Sequence, residues 1–172
     1  TYVHLESGTP IHFQEWWVKH RASLPANGFE LRGSDVAKPA PGVLEAINSA
    51  DVIIFPPSNP VVSIGMILRI PGVADAVKSA NAPVVGVSPI IGNNPVLGMA
   101  DKCLTALGLE TSAFSVAKLH SEYLDAWLIA DGDEKQVGEV ERLGIKCKST
   151  PLLMSDDQAS QDIAQAAINM VL

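Results

Sequence analysis

Ser58 and Asn59 stand where an apolar run breaks, in the string Val52-Ile53-Ile54-Phe55-Pro56-Pro57-Ser58-Asn59-Pro60. A hydroxyl, a carboxamide and free backbone N–H groups at a helix start make a ready anion site, and phosphate is the natural guest. Ser63 falls on the first turn of that helix and reaches the same point. Gly65 allows a neighbouring backbone to come close. The plain alternative is that Asn59 caps the helix and Pro60 opens it, which explains both residues without a ligand. A second polar stretch follows at 88–98, SPIIGNNPVLG. Its Ser88, Gly92 and Asn93 are candidate phosphate or nucleotide contacts. Gly92, Asn93 and Asn94 tolerate left-handed backbone, so this loop can fold over a ligand or simply connect two elements.

Residues 12–21, HFQEWWVKHR, hold two adjacent tryptophans, an acid, two histidines and basic side chains. On a helix Trp16 and Trp17 point about 100° apart. Core packing is the better reading for both, and a wall for a flat aromatic ligand is the alternative. His12 and His20 lack metal-type spacing and read as surface residues. Asp131-Gly132-Asp133 could suggest magnesium, but a turn followed by a helix cap is the commoner use of that pattern. No nucleophile elbow, P-loop or GxGxxG is present.

These residues need elements to position them. Apolar runs at 52–55, 84–87, 127–130 and 145–148 read as strands. Helical patterns at about 41–49, 60–69, 72–80, 98–107, 111–120, 134–143 and 156–171 alternate with them. A short strand is expected at 2–5, a helix over 12–22 and another strand near 29–32. Repeated βα units predict an α/β fold: a Rossmann-like, doubly wound, mainly parallel sheet with helices on both faces. Ligands of such sheets bind outside the carboxyl ends of the strands. Four loops qualify: 56–60, 88–98, 131–133 and 149–155. No linker divides the chain, so residues 1–172 read as a single domain.

The 172 residues carry 12 Lys and Arg against 19 Asp and Glu, a net charge of −7. That balance, with no basic stripe, argues against nucleic acid as a partner. Cys103 and Cys147 are far apart and read as buried cytosolic thiols. There is no membrane-length apolar run, and the cytoplasm is the expected location.

FQEWWV at 13–18, PSNPVVSIG at 57–65, GVSPIIG at 86–92, PVLGMADKCL at 95–104 and PLLMSD at 151–156 occur in this order. Together they resemble the carboxyl-terminal portion of the 2-phospho-L-lactate transferase family, which includes actinobacterial phosphoenolpyruvate transferases. The resemblance covers essentially the whole chain. It implies a transferase of deazaflavin coenzyme F-420 biosynthesis. A phospholactyl or phosphoenolpyruvyl group would pass from a guanosine diphosphate-linked donor to the ribityl hydroxyl of 7,8-didemethyl-8-hydroxy-5-deazariboflavin, releasing GMP. The resemblance also implies Mg2+ and a homodimer, with Ser58, Asn59, Ser63, Ser88, Gly92 and Asn93 on the donor side. Glu15, Trp16 and Trp17 become acceptor-side candidates.

The family's Gly-rich strand–turn–helix and its metal-binding acids have no match in this sequence. The expectation is therefore a carboxyl-terminal part with no metal ligands of its own and little activity alone. Pro56 stands where a smaller residue often precedes PSNP, which would stiffen the loop. A non-catalytic nucleotide-binding regulator of the related gluconeogenesis-factor-like family is the alternative reading.

Overall fold

The computed structural model describes all 172 residues. The chain opens with strand β1 (Tyr2–Leu5), the two-residue β2 (Ile11–His12), a helical turn at Glu15–Lys19, and β3 (Ala26–Glu30). Next come helix α1 (Val43–Asn48), strand β4 (Ile53–Phe55), a turn at Pro60–Ile64 running into α2 (Gly65–Leu68), and α3 (Val73–Ser79). Strand β5 (Val84–Val87), the short pair β6 (Ile90–Ile91) and β7 (Asn94–Pro95), α4 (Ala100–Thr105) and α5 (Ala113–Leu119) follow. Strand β8 (Ala126–Ala130), a tight turn at Glu134–Gln136, α6 (Val137–Glu141), β9 (Lys146–Thr150) and α7 (Asp157–Ile168) complete the chain.

Strands β4, β5, β8 and β9 form one parallel sheet in that order. Side chains on each strand alternate between two cores, as the period of two requires. Phe55, Val84, Trp127 and Ile129 face one layer with Ile64, Leu104, Val116 and Val140 from the connecting helices. Val85, Val87, Ala126, Leu128 and Ala130 face the other, which Ile163 and Ala167 of α7 close. Right-handed crossovers that always advance in one direction stack their helices on one face. Only the last helix crosses to the opposite side. Both faces are thus covered, which is why β5 and β8 are buried along their whole length. The α/β class, the parallel sheet and the two helical layers match the sequence reading.

One region departs from it. β2, β1 and β3 make a separate antiparallel sheet. Its core gathers Val3, Phe13, Trp16 and Phe29 against Val61, Met66 and Cys103. The strand expected near 29–32 begins earlier, at Ala26, and takes in Asn27 and Gly28. Those residues are poor strand formers. Pairing with β1 and burial of Phe29 override their preference. This small sheet holds the tryptophan turn against the helix that follows PSNP.

Candidate active site at the carboxyl edge of the parallel sheet

The PSNP loop leaves the carboxyl end of β4. Asn59 has non-helical backbone, with φ −56° and ψ 120°, and caps the following turn, with Pro60 in first position. Its Oδ1 accepts the N–H groups of Val61 at 2.9 Å and Val62 at 3.1 Å. Its Nδ2 donates to Cys103 Sγ at 3.3 Å. Pro60 has no N–H to offer. The first-turn amides that would hold an anion are therefore already used, and the carboxamide is spent on the fold. Ser58 and Ser63 are left to supply polar contact to a ligand.

The turn itself is wide. Ile64 N–H reaches Asn59 O at 3.1 Å, an i to i+5 bond. Such π turns recur at functional sites. Gly65 is needed behind it, because a Cβ there would stand 2.9 Å from the Pro60 carbonyl oxygen. A second π turn carries the tryptophans, with His20 N–H bonded to Glu15 O at 3.1 Å. The sequence pattern predicts an ordinary helix in both places.

Two hollows meet at this loop. One, of about 560 Å3, is lined by Gln14, Trp17, Ser58, Asn59, Ser63 and Met99, among others. The other, of about 460 Å3, is lined by Pro89, Leu97, Leu152, Leu153 and Met154 along with Pro57, Ser58 and Asn59. Pro57, Ser58, Asn59 and Leu97 belong to both. Each is of the size that small ligands occupy. The cleft lies where the sequence reading puts it, outside the carboxyl ends of the strands. Three of the four loops named there reach it: 56–60, both ends of 88–98, and 149–155.

The predicted residues divide sharply. Ser58, Asn59, Ser63 and Trp17 line the cleft together. Ser88, Gly92 and Asn93 stand outside it. Ser88 is buried, and its Oγ donates to Ile90 O at 2.9 Å and accepts Ile90 N–H at 3.1 Å. Gly92 and Asn93 turn the β6–β7 hairpin with positive φ at both positions, the twist that a two-residue hairpin prefers. Gly92 N–H is tied to the Asp133 carboxylate at 3.0 Å. Asp133 was expected to cap a helix; it makes no such bond and clamps the hairpin instead. It is buried and also accepts from Gln136 Nε2.

Trp16 and Trp17 take opposite roles. Trp16 is 1% exposed, and its Nε1 donates to Leu24 O at 2.8 Å. Trp17 is 40% exposed, leans on Phe13 at 5.5 Å between ring centroids, and forms part of the cleft wall. Glu15 points away, paired to Lys19 at 2.8 Å. Hydrogen bonding and charge from Lys19 hold its carboxyl below the usual range.

Several site residues are apolar and carry no chemistry of their own. Leu97 is 89% exposed, and Leu153 and Met154 are also bare. Apart from the strings PVLGMADKCL and PLLMSD that carry the family resemblance, their only signal is apolar side chains in segments with neither helix nor strand period. Beneath the PSNP loop lies His120, buried against Phe55 with ring centroids 5.9 Å apart. Burial pushes its imidazole down to about 4, against the opposing pull of Glu122 and the Pro60 carbonyl. Burial likewise raises the Cys103 and Cys147 thiols to about 11, which keeps both protonated and unreactive.

A family model described as 2-phospho-L-lactate transferase CofD matches residues 1–168. The chain belongs to the 2-phospho-L-lactate transferase family. Among curated relatives, the phosphoenolpyruvate transferase of Streptomyces griseus is 55% identical over 161 residues, covering 93% of this chain and 51% of that protein. Those of Kitasatospora aureofaciens and Mycolicibacterium smegmatis are 54% and 46% identical, covering 51% and 49% of their own lengths. The chain thus spans about half the length of the curated relatives it matches. A solved structure from the UPF0052 family of Bacillus halodurans shares the fold, with a TM-score of 0.64 at 19% identity over 97% of this chain and 57% of that one. For this family member no three His, Cys, Asp or Glu side chains converge as a metal site. Neither hollow is lined by a carboxylate. The cleft residues therefore do not form the carboxylate-bearing oxygen set that Mg2+ takes. No single helix is long and apolar enough to cross a membrane.

Proposed function

We propose that this cleft is the donor-and-acceptor wall of a transferase of deazaflavin coenzyme F-420 biosynthesis. The protein in which it acts would move a phosphoenolpyruvyl or phospholactyl group from a guanosine diphosphate-linked donor to the ribityl hydroxyl of 7,8-didemethyl-8-hydroxy-5-deazariboflavin, with release of GMP. The name shared by the curated relatives favours the enolpyruvyl group. The observation that carries the reading is the pair of adjoining hollows that share Ser58. A transfer reaction needs two substrates side by side, and positioning supplies much of its rate.

In this reading Ser58 and Ser63 donate to diphosphate oxygens. Trp17 offers a flat face to an aromatic ring, of guanine or of the deazaflavin, at the rim of the polar hollow. The apolar hollow bounded by Leu97 and Leu152–Met154 excludes water from the reacting groups. Glu15 and Trp16, by their outward and buried placements, do not touch substrate; Phe13, packed on both tryptophans, supports Trp17.

Thermal melting with GDP, with the deazaflavin and with both tests this. Both ligands together are expected to raise the midpoint above either alone. Stabilisation by GDP only would replace the transferase with a nucleotide-binding regulator. No response to either would overturn the reading.

A further inference from the structure

Under the Pro56–Pro60 loop lies a cavity of about 10 Å3, whose lining includes Ser58, Pro60, His120 and Trp127. That is about the space one water molecule needs. Two buried side-chain nitrogens in this protein lack any partner: His120 Nε2 and Trp127 Nε1. Both belong to residues of this lining. His120 is 4% and Trp127 1% exposed, so bulk solvent satisfies neither. An indole N–H can only donate. A neutral imidazole has one nitrogen that accepts, and burial keeps His120 neutral at pH 7. Two residues that border one water-sized space thus each hold an unpartnered buried nitrogen, and the indole one is a fixed donor.

A single water accepts from the indole and donates to the imidazole. It retains one O–H, and buried waters make about three hydrogen bonds. Ser58 is the remaining polar side chain of the lining, and it also borders both hollows of the cleft. We propose that this cavity holds one ordered water that accepts the Trp127 N–H, donates to His120 Nε2 and gives its second proton to Ser58 Oγ, so that the Ser58 hydroxyl is turned to donate into the cleft. Trp127 has only a proton to give, and the proposed tautomer of His120, with its proton on Nδ1, leaves Nε2 the lone pair. A hydroxyl that already accepts from inside presents its own proton to an anion outside. His120 and Trp127 are positioning residues for Ser58. Only this last link rests on the reading of the cleft as a diphosphate site.

A high-resolution crystal structure together with nitrogen-15 and proton NMR at pH 7 tests the hydration site. The expected results are an ordered water within hydrogen-bond distance of all three groups, an unprotonated Nε2 on His120, and cross-relaxation from the Trp127 indole proton to a long-lived water. A dry cavity, a protonated Nε2, or a water that misses either nitrogen would overturn the site. A GDP-affinity cycle tests the relay. Trp127→Phe and Ser58→Ala should each weaken binding about fivefold, the loss of one neutral hydrogen bond, and the double variant should lose no more than Ser58→Ala alone. Fully additive losses would sink the positioning role. If Trp127→Phe does not fold, His120→Phe keeps a ring against Phe55, removes the acceptor and serves in the same cycle. Failure of the wild-type chain to bind GDP would count against the proposed function, while the water readouts decide the site independently.

Discussion

The PSNP loop and the 88–98 loop both carry Ser, Asn and Pro and leave neighbouring parallel strands, yet they use their polar groups differently. In the first, Asn59 satisfies the helix start and the hydroxyls of Ser58 and Ser63 are left to the cleft. In the second, Ser88 binds Ile90, Asn94 Nδ2 binds Gly92 O, and Gly92 N–H binds Asp133. The second loop has little polar capacity left for a ligand. What it gives the cleft is apolar: Pro89, Val96 and Leu97. A loop rich in Ser, Gly and Asn is a ligand loop only after its internal hydrogen bonds have been counted.

The largest perturbation strikes the frame that both loops share. A Cβ on Gly86, in β5, would overlap the Trp127 ring and crowd Leu124. Gly86→Ala is expected to cost about 3 kcal/mol, the upper part of the overpacking range, read as a lowered urea midpoint. An unchanged midpoint would show that the floor beneath the two loops yields.

Acid reaches the first loop's support through His120. His120 titrates near its ordinary value of about 6.5 when unfolded and at about 4 when folded. The unfolded state therefore takes up the proton first, and stability is full above about 6.5 and falls as pH drops toward 4. The full shift corresponds to about 3 kcal/mol at most. Denaturation across that window should show the slope, and His120→Phe should flatten it.

The next test separates internal from external use of polar groups. Asp133→Ala removes a charged acceptor from Gly92 N–H and should cost about 2 kcal/mol in unfolding, with the hairpin amides losing hydrogen-exchange protection first. Asn59→Ala should cost about 1–2 kcal/mol by loss of the cap. GDP affinity that fell while stability held would reverse the assignment of Asn59 to the fold.

The smallest effect is also the sharpest contrast. Ser63 is half-buried with no side-chain hydrogen bond inside the protein, so Ser63→Ala should leave stability within about 0.5 kcal/mol of wild type. It should weaken GDP binding by about 1 kcal/mol. Ser88→Ala should do the opposite, because its hydroxyl is buried and bonded at both ends. Calorimetric titration beside urea denaturation would show whether the two serines divide in this way.

How much the sequence disclosed depended on how local each cause is. Strands 53–55, 84–87 and 126–130 are apolar runs bounded by breakers, and the Asn59-Pro60 start is a capping signal, so periodicity and caps found them. The hollow's position followed from the βα alternation. Three features have causes distant in sequence. β3 forms through a strand some twenty residues earlier. Trp16 and Trp17 part company because one is enclosed against Phe29 and the other leans on Phe13 and stays exposed. Asp133 finds its partner 41 residues away. Leu97 and Leu152–Met154 lie in named loops and in strings that carry the resemblance, but their meeting was illegible for a related reason: an apolar residue outside any period gives no direction, and only the assembled loops show that they share a hollow.

The order of the parallel sheet has a kinetic consequence. β4, β5, β8 and β9 lie side by side in the order in which the ribosome makes them. Each new strand finds its hydrogen-bonding neighbour already present, and no strand must wait for, or be inserted between, later ones. Loop closure is kept as short as a crossover connection allows. The exception is the face of Val85, Val87, Leu128 and Ala130, which α7 covers last. Until residues 157–168 dock, that face is the sticky side of a nascent sheet, and co-translational chaperone contact should concentrate there.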